Sequence, residues 1–180
     1  MEILPPLRYR AIKKKNNMNH DVFISYSSKE KSIADGVCHY LEENGIKCWM
    51  APRDIPAGSQ YGDLIVDAIV DSKVVVLVYS QAALNSKFVS GEINLAFSEG
   101  KPIIPFRIDN TDIQGAFKLM LNQYHWIEAY PEYAHLLPDL LRSVRSLLGG
   151  EEEIKEEEEK SKEEDKRKIT KEEKQKEKEK

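Results

Sequence analysis

The sequence predicts an α/β domain: a five-stranded parallel sheet in the order 2-1-3-4-5, with helices on both faces and a charged C-terminal tail. Three observations predict it. Strand-like and helix-like patterns alternate five times along the middle of the chain, which right-handed crossovers wind into a parallel sheet. Lys73-Val-Val-Val-Leu-Val-Tyr79 has no polar alternation, as a strand buried on both faces requires. Turn residues, Gly45, Gly58 and Gly100 among them, punctuate the alternation where elements must end.

The ends of the chain do not belong to this core. Residues 1–19 hold five basic residues, one acidic residue and Pro5-Pro6, and read as a flexible basic arm or as sequence upstream of a start at Met18. No apolar stretch of secretory type follows the basic residues, so a signal peptide is not expected. Residues 150–180 form a Glu/Lys-rich tail. From Glu151 onward it has 14 acidic and 11 basic residues, with only Ile154 and Ile169 apolar. Such a segment buries too little surface to offset its ordering entropy, and is either disordered or a solvated helix with Glu/Lys pairs. Residues 20–149 remain as one domain, long enough for a proper core.

Within it, Asp21-Val-Phe-Ile-Ser-Tyr26 is short, β-branched and aromatic, hence a strand. Ser27 and Glu30 have capping-box spacing, and Ile33, Val37, Tyr40 and Leu41 continue a helix that Gly45 stops. Residues 46–50 form the second strand. The turn-rich connection Ala51-Pro-Arg-Asp-Ile-Pro-Ala-Gly58 leads to a helix through Ile65, Ala68 and Ile69. After the third strand, a helix opens at Ser86 with Val89, Ile93, Ala96 and Phe97 as its apolar face. Pro102 to Ile108 is the fourth strand, whose two prolines place it toward an edge or limit its pairing. His125-Trp-Ile127 is a short fifth. The last helix starts near Pro138 and runs through Leu140, Leu141, Val144, Leu147 and Leu148.

Composition excludes several function classes. The net charge of −4 divides into +4 for the arm, −5 for the central block and −3 for the tail. A mildly acidic domain is not built for nucleic acid. Cys38 and Cys48 lack zinc-ligand spacing and read as buried thiols of a reducing, cytoplasmic compartment. The four histidines have no Cys or Asp at ligand spacing, so no metal is expected. The longest apolar run, Val74 to Tyr79, is far too short for a bilayer. P-loop, dinucleotide and nucleophile-elbow motifs do not occur.

In a sheet of this order, ligands bind beyond the carboxyl ends of the strands where the order reverses, between strands 1 and 3. That point brings residues 26–29 and 80–86 together. The helix that follows carries Phe88 and Glu92 one turn apart. A helix-flank glutamate is ordinarily solvated and a phenylalanine ordinarily core. Side by side at a crevice, they are a candidate pocket wall. Ser27 and Ser28 offer a helix start to an anion, as any helix start does. Residues 52–58 are either plain turns around Asp54 and Gly58, or a mobile lid or self-association surface.

Asp21-Val-Phe-Ile-Ser-Tyr-Ser27, Cys48-Trp-Met-Ala-Pro-Arg-Asp-Ile-Pro-Ala-Gly58 and Ser86-x-x-Val-x-x-Glu92, in that order, resemble a Toll/interleukin-1 receptor (TIR) domain of the bacterial and archaeal type. The resemblance covers residues 20–148 and implies a flavodoxin-like sheet. It implies that the loop after strand 2 is the family's BB loop, with Arg53, Asp54, Ile55, Pro56 and Gly58 serving self-association. It implies that Glu92 is the glutamate with which many members cleave NAD+ between nicotinamide and ribose, giving ADP-ribose or a cyclic product. Ser27, Ser28, Arg53 and Phe88 would complete that pocket, with NAD+ as substrate and no cofactor. Prokaryotic members often act in defence signalling. Phe88 stands where many active members carry tryptophan, and Arg53 where some carry an acidic residue. A non-catalytic TIR–TIR interaction module remains the alternative. A response regulator of the same fold would need an acidic cluster where Ser25, Ser27 and Ser28 stand.

Overall fold

The computed structural model describes residues 20–149; the basic arm and the charged tail lie outside the described residues. Five parallel strands, β1 (Val22–Ser25), β2 (Cys48–Trp49), β3 (Val74–Tyr79), β4 (Ile103–Arg107) and β5 (Ile127–Glu128), form one sheet. Their order is β2-β1-β3-β4-β5, the common order expected for five alternating strands. The helices are α1 (Lys31–Glu43), α2 (Tyr61–Asp71), α3 (Gln81–Leu84), α4 (Lys87–Ser98), α5 (Gly115–Leu121) and α6 (Leu137–Leu147).

The unbroken apolar run of β3 explains its place. It pairs with β1 from Val22↔Val74 to Ser25↔Leu77 and with β4 from Val75↔Ile103 to Tyr79↔Arg107. None of its six residues is more than 1% exposed. Two apolar layers cover the sheet. Val22 and Ile24 of β1 meet Val37, Leu41, Leu140 and Val144 of α1 and α6. Phe23, on the opposite face, packs with Ile69, Ile93 and Leu121 of α2, α4 and α5. Phe23 also stacks on Trp49, with ring centroids 5.2 Å apart. Because successive strand residues face opposite ways, Ser25 shares the α4 side with Phe23.

As its two prolines predict, β4 lies next to the edge strand, pairing with β3 along its whole length but with β5 at only two positions. Three local features differ from the sequence reading. Helices α3 and α5 were not legible. The first has four residues, below any detectable period; the second buries Phe117, Met120 and Leu121 within seven residues opened by a glycine with φ 57°. Phe97, expected on the apolar face of α4, is 38% exposed, while Val89, Ile93 and Ala96 carry the buried stripe. The capping box is half formed. Ser27 Oγ accepts the Lys29 N–H at 3.4 Å, but Glu30 turns away to accept from the Ser80 hydroxyl at 3.2 Å. That bond ties the loop after β1 to the loop after β3.

Truncating Leu77 to alanine, at the fully buried middle of β3, is expected to cost about 2–5 kcal/mol, read as a lower urea midpoint with one cooperative transition. The same change at Leu119, which is 85% exposed, is expected to stay within about 0.5 kcal/mol.

Candidate active site

The strand reversal at β1 opens a cleft of about 460 Å³ beyond the ends of β1 and β3. Ser27, Ser28, Lys29 and Glu30 line one side, and Gln81, Ala82, Asn85 and Ser86 the other. These are the two loops the sequence brought together. Asp109, after β4, completes the lining and was not anticipated. Its carboxylate accepts the Gln81 N–H at 2.9 Å and the Thr111 N–H at 3.0 Å. Burial alone would raise the Asp109 pKa, but these bonds and the charge of Arg107 hold it below the usual carboxylate range.

Glu92 lies beside this cleft rather than on its lining. Ser86 caps α4 by accepting the Val89 N–H at 3.3 Å, which fixes where the helix starts and so where Glu92 falls. The Glu92 side chain points inward. Its Oε2 accepts the Ser25 hydroxyl at 2.6 Å, and Ser25 is fully buried at the end of β1. Burial pushes the carboxyl up to about 7, against a partial lowering by the Ser25 hydrogen bond. Among the described residues no lysine or arginine pairs with it. A half-buried carboxylate without a cation is costly to hold, which marks it as a candidate for chemistry rather than stability.

Phe88 is one turn away but 77% exposed, so ring and carboxyl do not share the core margin. Ser27 and Ser28 do reach the cleft. Arg53 does not meet Glu92. Its guanidinium binds the Asp54 carboxylate at 2.8 Å, Glu42 at 2.9 Å, the Cys48 carbonyl at 2.9 Å and the Cys38 sulfur at 2.9 Å. It therefore clasps the loop to α1 and β2. Asp54 completes the clasp by accepting the Met50 N–H at 2.9 Å. Ile55 packs on the Phe23–Trp49 layer, Pro56 is exposed, and Gly58 takes φ 83°, which a side chain would strain. Cys38 and Cys48 are both buried free thiols, and hydrogen bonding to Cys38 together with burial raises the Cys48 pKa.

Sequence reasoning missed Ser25 and Tyr26. The period of two in Val22–Ser25 was signal enough to put Ser25 on the α4 face. Tyr26 faces the other way, where its hydroxyl donates to the Ala51 carbonyl at the root of the 52–58 loop. Burial first, then the charges of Asp35, Tyr61 and Glu92, raises its pKa. One strand end thus touches both the carboxyl and the loop.

A family model for the TIR domain matches residues 22–141. The chain belongs to the TIR-domain family. Over 81 residues, 44% of this chain, it is 36% identical to a stimulator of interferon genes protein of Magallana gigas; the match covers 20% of that relative, so the chain spans about a fifth of its length. The TIR-STING receptor from C. gigas, solved with 2′,3′-cGAMP, is 26% identical with a TM-score of 0.58, covering 70% of this chain and 39% of that one. The TIR domain of a Toll-related receptor from Hydra magnipapillata shares the fold at 22% identity and TM-score 0.57, covering 70% of this chain and 98% of its own. Among the described residues of this TIR domain, no helix is long and apolar enough to cross a membrane. Nor does any group of three or more His, Cys, Asp or Glu among them have the placement to hold a metal.

Two measurements check this geometry. Replacing Arg53 with alanine is expected to quicken hydrogen exchange at the Asp54 and Ile55 amides about tenfold, the loss of roughly 1.4 kcal/mol, while the Leu77 amide is unchanged. For Glu92, the folded pKa lies above the ordinary value of 4.5. The native state therefore holds a proton longer, and its stability falls as pH rises from about 4.5 through 7. Glu92→Gln is expected to remove that fall, gaining roughly 1–3 kcal/mol over wild type at pH 8 in denaturant melts.

Proposed function

We propose that this TIR domain is an NAD+ hydrolase that cleaves the bond between nicotinamide and ribose, with Glu92 as its catalytic carboxylate. The observation that carries the reading is the half-buried Glu92 carboxyl, held at the end of β1 with a hydroxyl partner and no cation. The reading draws further support from the resemblance of Ser86-x-x-Val-x-x-Glu92 to the family's glutamate motif.

The chemistry suits one carboxylate. When the C–N bond breaks, its electron pair passes to the pyridinium nitrogen, and nicotinamide leaves neutral without needing a general acid. The ribose becomes oxocarbenium-like, as in glycoside cleavage. An ionised Glu92 facing the anomeric carbon stabilises that charge in a partly dry setting. Water then adds to the carbon and releases a proton, giving ADP-ribose; attack by an adenine nitrogen of the same molecule gives a cyclic product instead. Phe88, exposed one turn earlier, is free to stack on a ring or ribose face. Ser27 and Ser28 line the adjoining cleft, where they would meet polar groups of the same substrate. The 52–58 loop, clasped by Arg53 and mostly exposed, is the surface through which a second copy would assemble and raise activity, in a signalling or defence role.

Two observations favour a second reading. Arg53 is committed to α1 and β2 rather than to Glu92, and Phe88 is uncovered, both of which suit a non-catalytic TIR–TIR interaction module. Nicotinamide release from NAD+ by the full chain, across a concentration series, separates the two. Hydrolysis requires release that steepens with protein concentration, disappears in Glu92→Ala and rises with pH about a midpoint near 7. Phe88→Trp is expected to speed release several-fold and Phe88→Ala to slow it about tenfold, through stacking. Folded protein that self-associates but releases no nicotinamide at any concentration would leave the interaction module.

A further inference from the structure

We propose that Ser25 is the positioning residue of Glu92: its buried hydroxyl fixes where the carboxylate points and favours its ionised form. The inference rests on the reading of Glu92 as the reacting carboxylate, but its geometry is independent of that reaction.

Three observations converge on it. The donor–acceptor distance of 2.6 Å is at the short end of the hydroxyl range, where bonds to a carboxylate oxygen fall. Ser25 is fully buried, so its hydroxyl has no water to turn to and gains most by bonding inside. The backbone at both ends is fixed. Ser25 sits in register with Leu77 of β3, while Glu92 sits on a helix whose start is set by the Ser86 cap. A serine at this point is otherwise out of character, since the three preceding strand residues, Val22, Phe23 and Ile24, are all core.

The surroundings leave the role to Ser25. The carboxyl responds to burial and to this hydroxyl, and no charged group of α2, α3 or α5 perturbs it. Tyr26, next along the chain, feels the Glu92 charge, but its own hydroxyl is committed to the Ala51 carbonyl. Removing Ser25 Oγ would therefore leave Glu92 with burial alone. The carboxyl would hold its proton to higher pH, and at neutral pH fewer molecules would carry the anion that faces a ribosyl cation.

The test is a carbon-13 carboxyl titration of Glu92 in the full chain, wild type beside Ser25→Ala and Ser25→Thr, with nicotinamide release followed over the same pH range. The alanine variant is expected to move the Glu92 midpoint upward by about one pH unit, while threonine restores it. The midpoint of release is expected to move with it, and the rate at the high-pH plateau to fall less than the rate at pH 7. Packing alone would lower both rates equally and leave the titration in place. An unchanged or downward midpoint in folded Ser25→Ala would overturn the assignment. If the titration shifts as expected but even wild type releases no nicotinamide, the hydrolase reading fails and the Ser25–Glu92 pairing stands.

Discussion

The site depends on one topological constraint. β1 is flanked on one side by β2 and on the other by β3, so the chain winds first one way and then the other from the same strand. The crossovers that leave β1 and β3 cannot close over each other, and a cleft opens beyond their ends. Everything proposed here hangs on that strand end. Ser25 reaches Glu92 from one face, and Tyr26 reaches the root of the 52–58 loop from the other. Ser27 and the residues after it line the cleft.

Burial gives the strand end its authority. β3 is paired along both edges, at four positions with β1 and five with β4, and has apolar layers above and below, so β1 has little freedom. A polar bond placed on so rigid a support can keep a carboxylate in one direction. The Arg53 clasp follows a different logic. It holds an exposed loop with charged bonds to Glu42 and Asp54 that water can compete for. The carboxyl is thus anchored in the core, while the loop is fastened at the surface, where a second molecule could exchange contacts with it.

Much of this was legible in the sequence, for physical reasons. The continuous apolar run of β3 and the 3.6-residue spacing in α1, α2, α4 and α6 are strong, long-range signals, the alternation implies a parallel sheet, and the order is the common one for five such strands. The meeting of the two loops followed from topology alone. What escaped was short or directional. α3 and α5 fall below a reliable period. Phe88 and Phe97 are apolar by type yet exposed, because spacing does not tell how far round the helix burial extends. Arg53 could not be aimed from sequence, since its partners Cys38 and Glu42 lie on a helix 11 to 15 positions away. Glu30 shows the same limit: capping-box spacing allowed one bond, and the nearby Ser80 hydroxyl offered another.

The proposed reaction requires a ribosyl group to sit against Glu92 at the end of β1, rather than deep in the neighbouring polar cleft. An NAD+ analogue whose nicotinamide ribose has a methylene in place of the ring oxygen cannot form the oxocarbenium ion, and so reports binding without turnover. Titrated into the full chain at high concentration, with carboxyl carbons observed by NMR, it should shift the Glu92 resonance most, with smaller changes at Glu30 and Asp109. Shifts confined to Glu30 and Asp109, with Glu92 unmoved, would contradict the account and move the site into the cleft.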